Sequence, residues 1–545
     1  MRFLSRLLPA LVLVLACSKS RSRTDAGATP DGAFDATVDA GVDAVLPMGC
    51  AAPACEPRRF DTQVRPRLVP PDVLANIVTA QFDTSWEVAG ERGRVGPFAF
   101  PDPSPVYFDR LLQSALPAAA ARANTIEAAC EADPDCVVAM VFSDLATLTR
   151  SERTVDADSI RAAFARGTTP RALLLQGLLA PQFFTVRLTQ TGLAERMTFA
   201  LWREAPDPSV EALIADPEAL VDRVLSDPRA AQGIERFHRE WLRTDRASSP
   251  LADLMQRETE LYVQNVFLED GTYRDLVGAP YTFVNDELAA FYGLEARTSE
   301  FEQVALDPAR ASLFAHGSLT AGRSIPLRAA FLGNNVLCQE LPPPPADIDP
   351  DPEPAPGDTR RERYEAIVSH PDCAGCHALF DSFGFAFESI GPEGRTVAED
   401  MGRPIDDTFA MTSCVGTDEG ISGAGIETMT SWLAESESAH DCYLRQWVRF
   451  MFAAEPIPCL VSEIDFSPAQ SSLRQMFVNL ASHPRVQSAA LPPFGERVLE
   501  LRAVGPEEEL SIALRNTIES LESDDPTEFE QRILESFYEL EARVR

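Results

Sequence analysis

Apolar residues recur along most of this chain at the three-to-four-residue spacing of helices that bury one face. Arg171 to Ala180 reads as a buried helix, Ala118 to Ala129 is alanine-rich with few breakers, and Ile160 to Arg166 continues in the same manner. Asp133-Pro134-Asp135 makes a turn inside the loop from Cys130 to Cys136. Leu193, Met197, Ala200 and Leu201 share a helical face; Pro206-Asp207-Pro208 interrupts it, and Val221, Val224 and Leu225 resume the period before Asp227-Pro228. Asn285 or Asp286 can cap a helix carrying Leu288, Phe291 and Tyr292, which Gly293 can end. A further helix runs to Cys338. Pro342 to Pro345 and the acidic stretch Asp347 to Pro356 then form a semi-rigid spacer that delivers a helix from Arg360 to His370. Gly425 to Phe452 ends in an amphipathic helix with Leu444, Trp447, Val448 and Met451 on one face. The tail repeats the pattern at Phe529, Ile533, Phe537 and Leu540, a face that packs on the body or on a partner. These periods predict a mainly α protein with a multi-helical body.

The first residues break the pattern. Arg2 and Arg6 precede an apolar run from Leu7 to Ala16 and then Cys17, as in a secretory signal peptide, and the run is too short to span a bilayer as a mature helix. Val14-Leu15-Ala16-Cys17 resembles a bacterial lipobox, which implies cleavage before Cys17 and lipidation of that cysteine. Ser18 behind it leans towards the outer membrane. From there to about Pro57 the chain has too few large apolar residues to order itself, and it reads as a tether. The predicted organisation is therefore a signal peptide over 1–16, a lipidated tether over 17–57, and helical modules over 58–190 and 191–300. A helical segment with the spacer follows over 301–356, then a motif-bearing module over 357–415, a C-terminal helical module over 416–486 and an acidic helical tail over 487–545. The 83 Asp and Glu against 48 Lys and Arg argue against nucleic acid and anionic lipid as partners, and for a well-solvated surface or a basic partner.

The most informative chemistry is Cys373-Ala-Gly-Cys376-His377. Two thiols three residues apart, with a histidine directly behind, fit the covalent attachment of one haem c: two thioether links and an axial imidazole from His377. A redox disulfide between Cys373 and Cys376 is an alternative, as is a partial zinc site with His377. No thioredoxin-like βαβ pattern surrounds the motif, and no second CxxC or HxxxH pair completes a zinc site. Export supports the haem reading, since this attachment takes place outside the cytoplasm. The eight remaining cysteines are an even number in an oxidising compartment. Cys50 with Cys55, Cys130 with Cys136, and Cys442 with Cys459 are the candidate disulfides; connectivity is not readable from spacing alone.

From Ala205-Pro-Asp-Pro208 through Ser226 to Ala230 with Trp241, Tyr281 to Leu294 and Ser324-Ile-Pro-Leu-Arg328, the chain resembles the multidomain cytochrome-like envelope proteins of planctomycetes and myxobacteria. The resemblance continues through Cys338 with Pro342 to Pro345, and through Cys373 to His377 with Asp381, Gly384, Phe385 and Glu388. It ends at Cys442 and Cys459 with Trp447 between them, and spans roughly 120 to 485. The family's modules are mostly of unknown function. Ala329 and Ile390-Gly391 stand here where the family usually has a glycine and an aspartate. The resemblance implies a small cytochrome c-like unit embedded late in the helical body.

A sixth iron ligand would decide the chemistry, because Met or His there gives a closed electron-transfer site and an open position permits peroxide or oxygen chemistry. Met411 has the usual downstream distance; Met401 is closer, and Met429, Met451 and His440 are further away. His238 reads as packing, Asp381 and Glu388 as residues that cap turns or face water, and Phe380, Phe383, Phe385 and Phe387 as a haem edge or the core of a small domain. The expected function is electron transfer in the cell envelope by a lipid-anchored c-type cytochrome-like protein with a redox partner protein. The alternatives are a haem-dependent oxidoreductase with an open iron, and a surface binding or structural lipoprotein whose CxxCH is a structural disulfide.

Overall fold

The computed structural model describes residues 68–88, 92–131, 133–150, 155–186, 190–295, 298–339, 357–368, 381–411, 418–453, 463–464, 466, 471–487, 499–505, 507–522 and 528–544. It is mainly helical, and the paired strands among these residues form four two-stranded antiparallel ribbons. The chain folds as two units: Trp241–Tyr443 with Ser467–Leu473, and Glu56–Glu240 with Leu444–Phe466 and Arg474–Arg545. No helix of the described residues is long and apolar enough to cross a membrane.

The larger unit is built on the helix Pro105–Cys130, which buries Tyr107, Phe108, Leu111 and Ile126. Ser104 starts it by accepting from the Tyr107 amide, and Pro105 supplies a φ already set for the first turn. The alanine-rich stretch from Ala118 is only its second half. The helix runs back through Pro117, because burial of Tyr107, Phe108 and Leu111 outweighs the hydrogen bond that an interior proline removes. Proline at the first turn opens Pro71–Phe82, Pro134–Leu148, Pro170–Leu178 and Pro217–Leu225 as well. Between Pro170 and Leu178 every residue from Ala172 onward is buried, as its apolar run predicts. Cys130 is bonded to Cys136, their Cα atoms 5.5 Å apart.

The acidic tail belongs to this same core. Ile533, Phe537 and Leu540 on the helix Glu528–Val544 are buried, and the Phe537 ring lies 5.0 Å from Phe108. Thr169 donates to Glu509, Gln176 exchanges hydrogen bonds with the Arg502 backbone, and Thr517 donates to Leu179 O. Two ion pairs, Arg532 with Asp102 and Arg543 with Asp109, fasten the last helix. Arg150 and Glu195 form a buried pair at 2.6 Å whose guanidinium also donates to the carbonyls of Phe183 and Thr185. Those two carbonyls supply the further hydrogen bonds that a desolvated pair requires. His238 is packed, as the sequence suggests. Its Nδ1 lies 2.8 Å from Ile234 O, and burial lowers its pKa to about 3.

In the smaller unit, the helix Ala252–Leu268 packs against the ribbon Tyr281–Val284/Glu302–Ala305. Asn285 caps Asp286–Tyr292 by accepting from the Leu288 amide, and Gly293 ends that helix in the left-handed region. Ile325–Phe331 continues into a π-turn over Leu332–Val336. Just beyond, Cys338 is bonded to Cys442, with their Cα atoms 5.4 Å apart and a sequence separation of 104. This corrects the Cys442–Cys459 pairing. The π-turn presents Asn335, whose carbonyl accepts from the Trp241 indole and whose side-chain amide donates to Trp241 O, so Cys338 is carried towards Cys442. Cys459, like Cys17, Cys50, Cys55 and Cys414, lies outside the described residues.

Candidate functional site

Cys373, Cys376 and His377 also lie outside the described residues, as does Phe380, and the site is defined by the elements on either side of them. Upstream is the helix Arg360–Val368, and downstream is Asp381–Phe385. The upstream helix begins with a reciprocal cap, in which the Thr359 amide donates to Glu362 and the Glu362 amide donates to Thr359 Oγ1. Its first three residues each tie it to the chain beyond the motif. Arg360 donates to Glu388 O at 2.9 Å and lies 3.4 Å from both Glu388 Oε2 and Asp400 Oδ2. Arg361 donates to the carbonyls of Asp406 and Thr408 at 2.9 and 2.7 Å. Glu362 is paired with Arg403, which holds its carboxyl well below the usual range.

The downstream helix is set by a glycine. A β-carbon at Gly384 would lie 2.4 Å from Ile325 O, so only glycine allows Asp381–Phe385 to approach the helix Ile325–Phe331 this closely. Phe383 and Phe387 are buried, Phe385 nearly so. Phe383 faces Trp432 with ring centres 6.1 Å apart, Phe385 faces Tyr364 at 5.7 Å, and the Arg361 guanidinium stacks 4.1 Å from the Phe385 ring. These phenylalanines, packed against Trp432 and Tyr364, form an apolar wall in the chain segment that follows the motif.

Beneath the wall is Arg328. It is 5% exposed, yet its guanidinium meets backbone alone: Nη1 donates to Phe387 O and Ile390 O at 2.7 Å each, and Nη2 to Thr320 O and Gly391 O at 3.2 and 3.1 Å. Burial lowers its pKa to about 10, so it stays charged at neutral pH. The planar fork of donors suits it to four carbonyls on two segments, which a lysine could not serve. Glu388 is the nearby anion. It does not face water as its sequence suggests; it is 2% exposed, and burial raises its pKa. Asp381 opens its helix.

Of the candidate sixth ligands, Met411 is 5% exposed at the end of the ribbon Thr408–Ala410/Ser422–Ala424, its amide bonded to Ile421 O at 2.7 Å. A thioether already desolvated at the end of a paired strand fits a haem ligand. Met401 is 60% exposed at a hairpin turn and does not. Met429 and His440 are buried, His440 with its ring 4.5 Å from Tyr273, and Met451 is core of the other unit. By their chemistry, two thiols and an imidazole at this sequence spacing, with a buried thioether further along the chain, are donors that one covalent haem takes. Among the described residues no group of three or more His, Cys, Asp or Glu could hold a metal ion.

A second buried polar cluster was not legible in the sequence. Glu258 accepts from Thr282 at 2.6 Å and Tyr292 at 2.8 Å, and Arg310 stacks 4.0 Å from the Tyr292 ring while donating to Thr396. Thr259 bridges His316 Nδ1 and Ser318. Glu258 sits in an ordinary amphipathic helix period. The only sequence signal is a charged residue on the helix face that also carries Met255, Tyr262 and Val266.

No curated protein and no solved structure matches the chain. Two family models do: PSD4, a protein of unknown function (DUF1592), over residues 188–294, and PSCyt3, a protein of unknown function (DUF1588), over residues 309–400. In these two stretches the chain is similar to cytochrome-like planctomycete domains, and the second stretch contains Arg328, Cys373, Cys376, His377, Gly384 and Glu388.

Proposed function

We propose that this chain is an exported, lipid-anchored c-type cytochrome-like protein that carries one covalent haem and moves single electrons in the cell envelope. Cys17 bears the anchor, Cys373 and Cys376 form the thioethers, His377 is the proximal ligand and Met411 the distal one. The observation that carries the reading is the intact Cys373-Ala-Gly-Cys376-His377 between two short helices, each tied by named contacts to the chain around it. Bound there, haem c supplies a one-electron Fe(III)/Fe(II) couple. The protein's own residues hold its surroundings still. Arg328 fixes the loop after the downstream helix, Arg360 and Arg361 fix the upstream helix, and the phenylalanines exclude water from the wall. Rigid surroundings suit electron transfer, because little has to rearrange when the charge changes. A second redox protein of the envelope must accept or supply the electron.

The test is an absorption spectrum, oxidised and dithionite-reduced, with a pyridine haemochrome, on protein exported in a host with a working cytochrome c maturation system. Covalent haem with sharp low-spin bands, and a Met-to-iron charge-transfer band lost in Met411→Ala, is the expected result. High-spin bands would point instead to an open iron. Absence of haem beside a correctly matured control cytochrome would overturn the reading.

A further inference from the structure

We propose that Glu388 is a redox-linked proton-binding site of the cytochrome-like unit, taking up one proton when the haem gains an electron and releasing it when the electron leaves. The inference rests on the haem reading above. Glu388 lies eleven residues after His377, in the turn that follows Asp381–Phe385.

Its surroundings are built for a carboxyl that changes charge. The side chain is sealed from solvent, with Oε2 3.4 Å from Arg360 Nη2 and Oε1 without a hydrogen-bond partner among the described residues. Four charged groups bear on it from the neighbouring elements: Arg360 and Arg361 from the helix Arg360–Val368, Arg328 from Ile325–Phe331, and Asp400 from the ribbon Glu399–Asp400/Arg403–Pro404. None of them satisfies the carboxylate fully. Arg328 spends its Nη donors on four carbonyls and contributes charge at a distance. Arg360 is divided between Glu388 and Asp400, and its backbone amide is bonded to Asp400 at 2.5 Å.

Among the described residues the ionised form is therefore under-solvated, and a proton on Oε1 breaks no hydrogen bond to any of them. Burial already raises the group's affinity for a proton above that of an ordinary carboxyl. An electron added to a haem held at His377, eleven residues before Glu388 in the chain, raises it further, since the cations then have a second negative charge to serve. The step balances as one electron from the donor protein to iron and one proton from solvent to Glu388 Oε1, leaving the net charge of the unit unchanged.

The experiment uses the full chain with covalent haem and follows the midpoint potential from about pH 5 to about pH 9 by spectroelectrochemistry. A single coupled proton makes the potential fall by up to about 59 mV for each tenfold drop in proton concentration. The wild type should show this slope over a window above the ordinary carboxylate range, and Glu388→Gln should be flat there. A flat wild type, or an unchanged slope in Glu388→Gln, overturns the proposal, the second result assigning the proton to another group. A redox-difference infrared spectrum of the wild type serves if the variant does not fold: reduction should bring up a protonated-carboxyl C=O band that shifts in heavy water, and its absence overturns the proposal too. If the chain carries no haem in the spectroscopic test above, the haem reading fails and this inference falls with it; a haem-loaded protein with pH-independent potential refutes only the inference.

Discussion

Arg328 and Phe387 are joined by a 2.7 Å hydrogen bond from guanidinium to carbonyl, across 59 residues of sequence that include the whole CxxCH motif. The same Nη1 reaches Ile390 O, so one buried cation closes the turn that follows the motif. Arg328→Met would leave four carbonyls without their donor and Glu388 short of a compensating charge. Losses of about 3 kcal/mol or more are expected for breaking such a group. Arg328→Lys keeps the charge and loses the fork, and should fall between wild type and Met. Urea unfolding of the three proteins orders them, and equal stabilities would show that the carbonyls find other donors.

Gly384 makes a complementary prediction. Its missing β-carbon is what lets Asp381–Phe385 lie on Ile325 O, and Ile325 Cγ2 is also within 2.9 Å of the position that carbon would take. Gly384→Ala must push two helices apart, at a cost of about 1–3 kcal/mol. Gly505 has open space around the corresponding position, and Gly505→Ala should stay within about 0.5 kcal/mol of wild type. Thermal or urea unfolding separates the two variants.

The elements that could be read in advance are those whose reasons are local. The Asn285 cap with its Gly293 stop, the buried run after Arg171, and the tail face of Ile533, Phe537 and Leu540 all follow from residues within one or two turns of each other. What stayed hidden depends on long-range partners. The tail face says that something is buried, but only the fold shows that Phe108 and Phe184 bury it. Glu388 looks like a solvated acid until Arg328 and Arg360 arrive from 60 and 28 residues away. Alanine-rich residues marked half of Pro105–Cys130, and Pro117 concealed the rest, because the aromatic burial that overrides it is tertiary. The pattern from Cys373 to His377 is read from its spacing alone, and those residues lie outside the described structure.

The Cys338–Cys442 bond is the clearest of these long-range surprises, and its separation sets its value. Closing a loop of 104 residues removes far more chain entropy from the unfolded state than closing the 6 residues from Cys130 to Cys136. The chain-entropy relation gives about 4.7 kcal/mol for the first and about 2 kcal/mol for the second. Cys338→Ser with Cys442→Ser should therefore lower stability more than Cys130→Ser with Cys136→Ser, by roughly 2.5 kcal/mol. Peptide mapping without reductant verifies the connectivity first. A peptide joining Cys442 to Cys459 would contradict it.

Acid sensitivity supplies the last prediction. His238, His316 and His440 are all buried, and burial lowers each pKa: to about 3 for His238, to about 4 for His440, and downward for His316. In the unfolded chain each returns to its ordinary value of 6.5. A depressed folded pKa means that the unfolded state binds more protons, so the stability contributed by a neutral buried histidine is complete above 6.5. It is lost progressively as the pH falls from there towards the folded value. Between about pH 7.5 and about pH 5.5 His238 and His440 should each cost about 1.4 kcal/mol, before the carboxylates begin to titrate in earnest, and His316 adds a loss of the same sign. His238→Gln removes one of the three and should shrink the wild-type loss over that interval by the same amount. Urea unfolding of both proteins at the two pH values is the measurement. An identical pH dependence would mean that His238 takes up its proton inside the fold, against the burial that its 2.8 Å bond to Ile234 and its packing on Phe237 indicate.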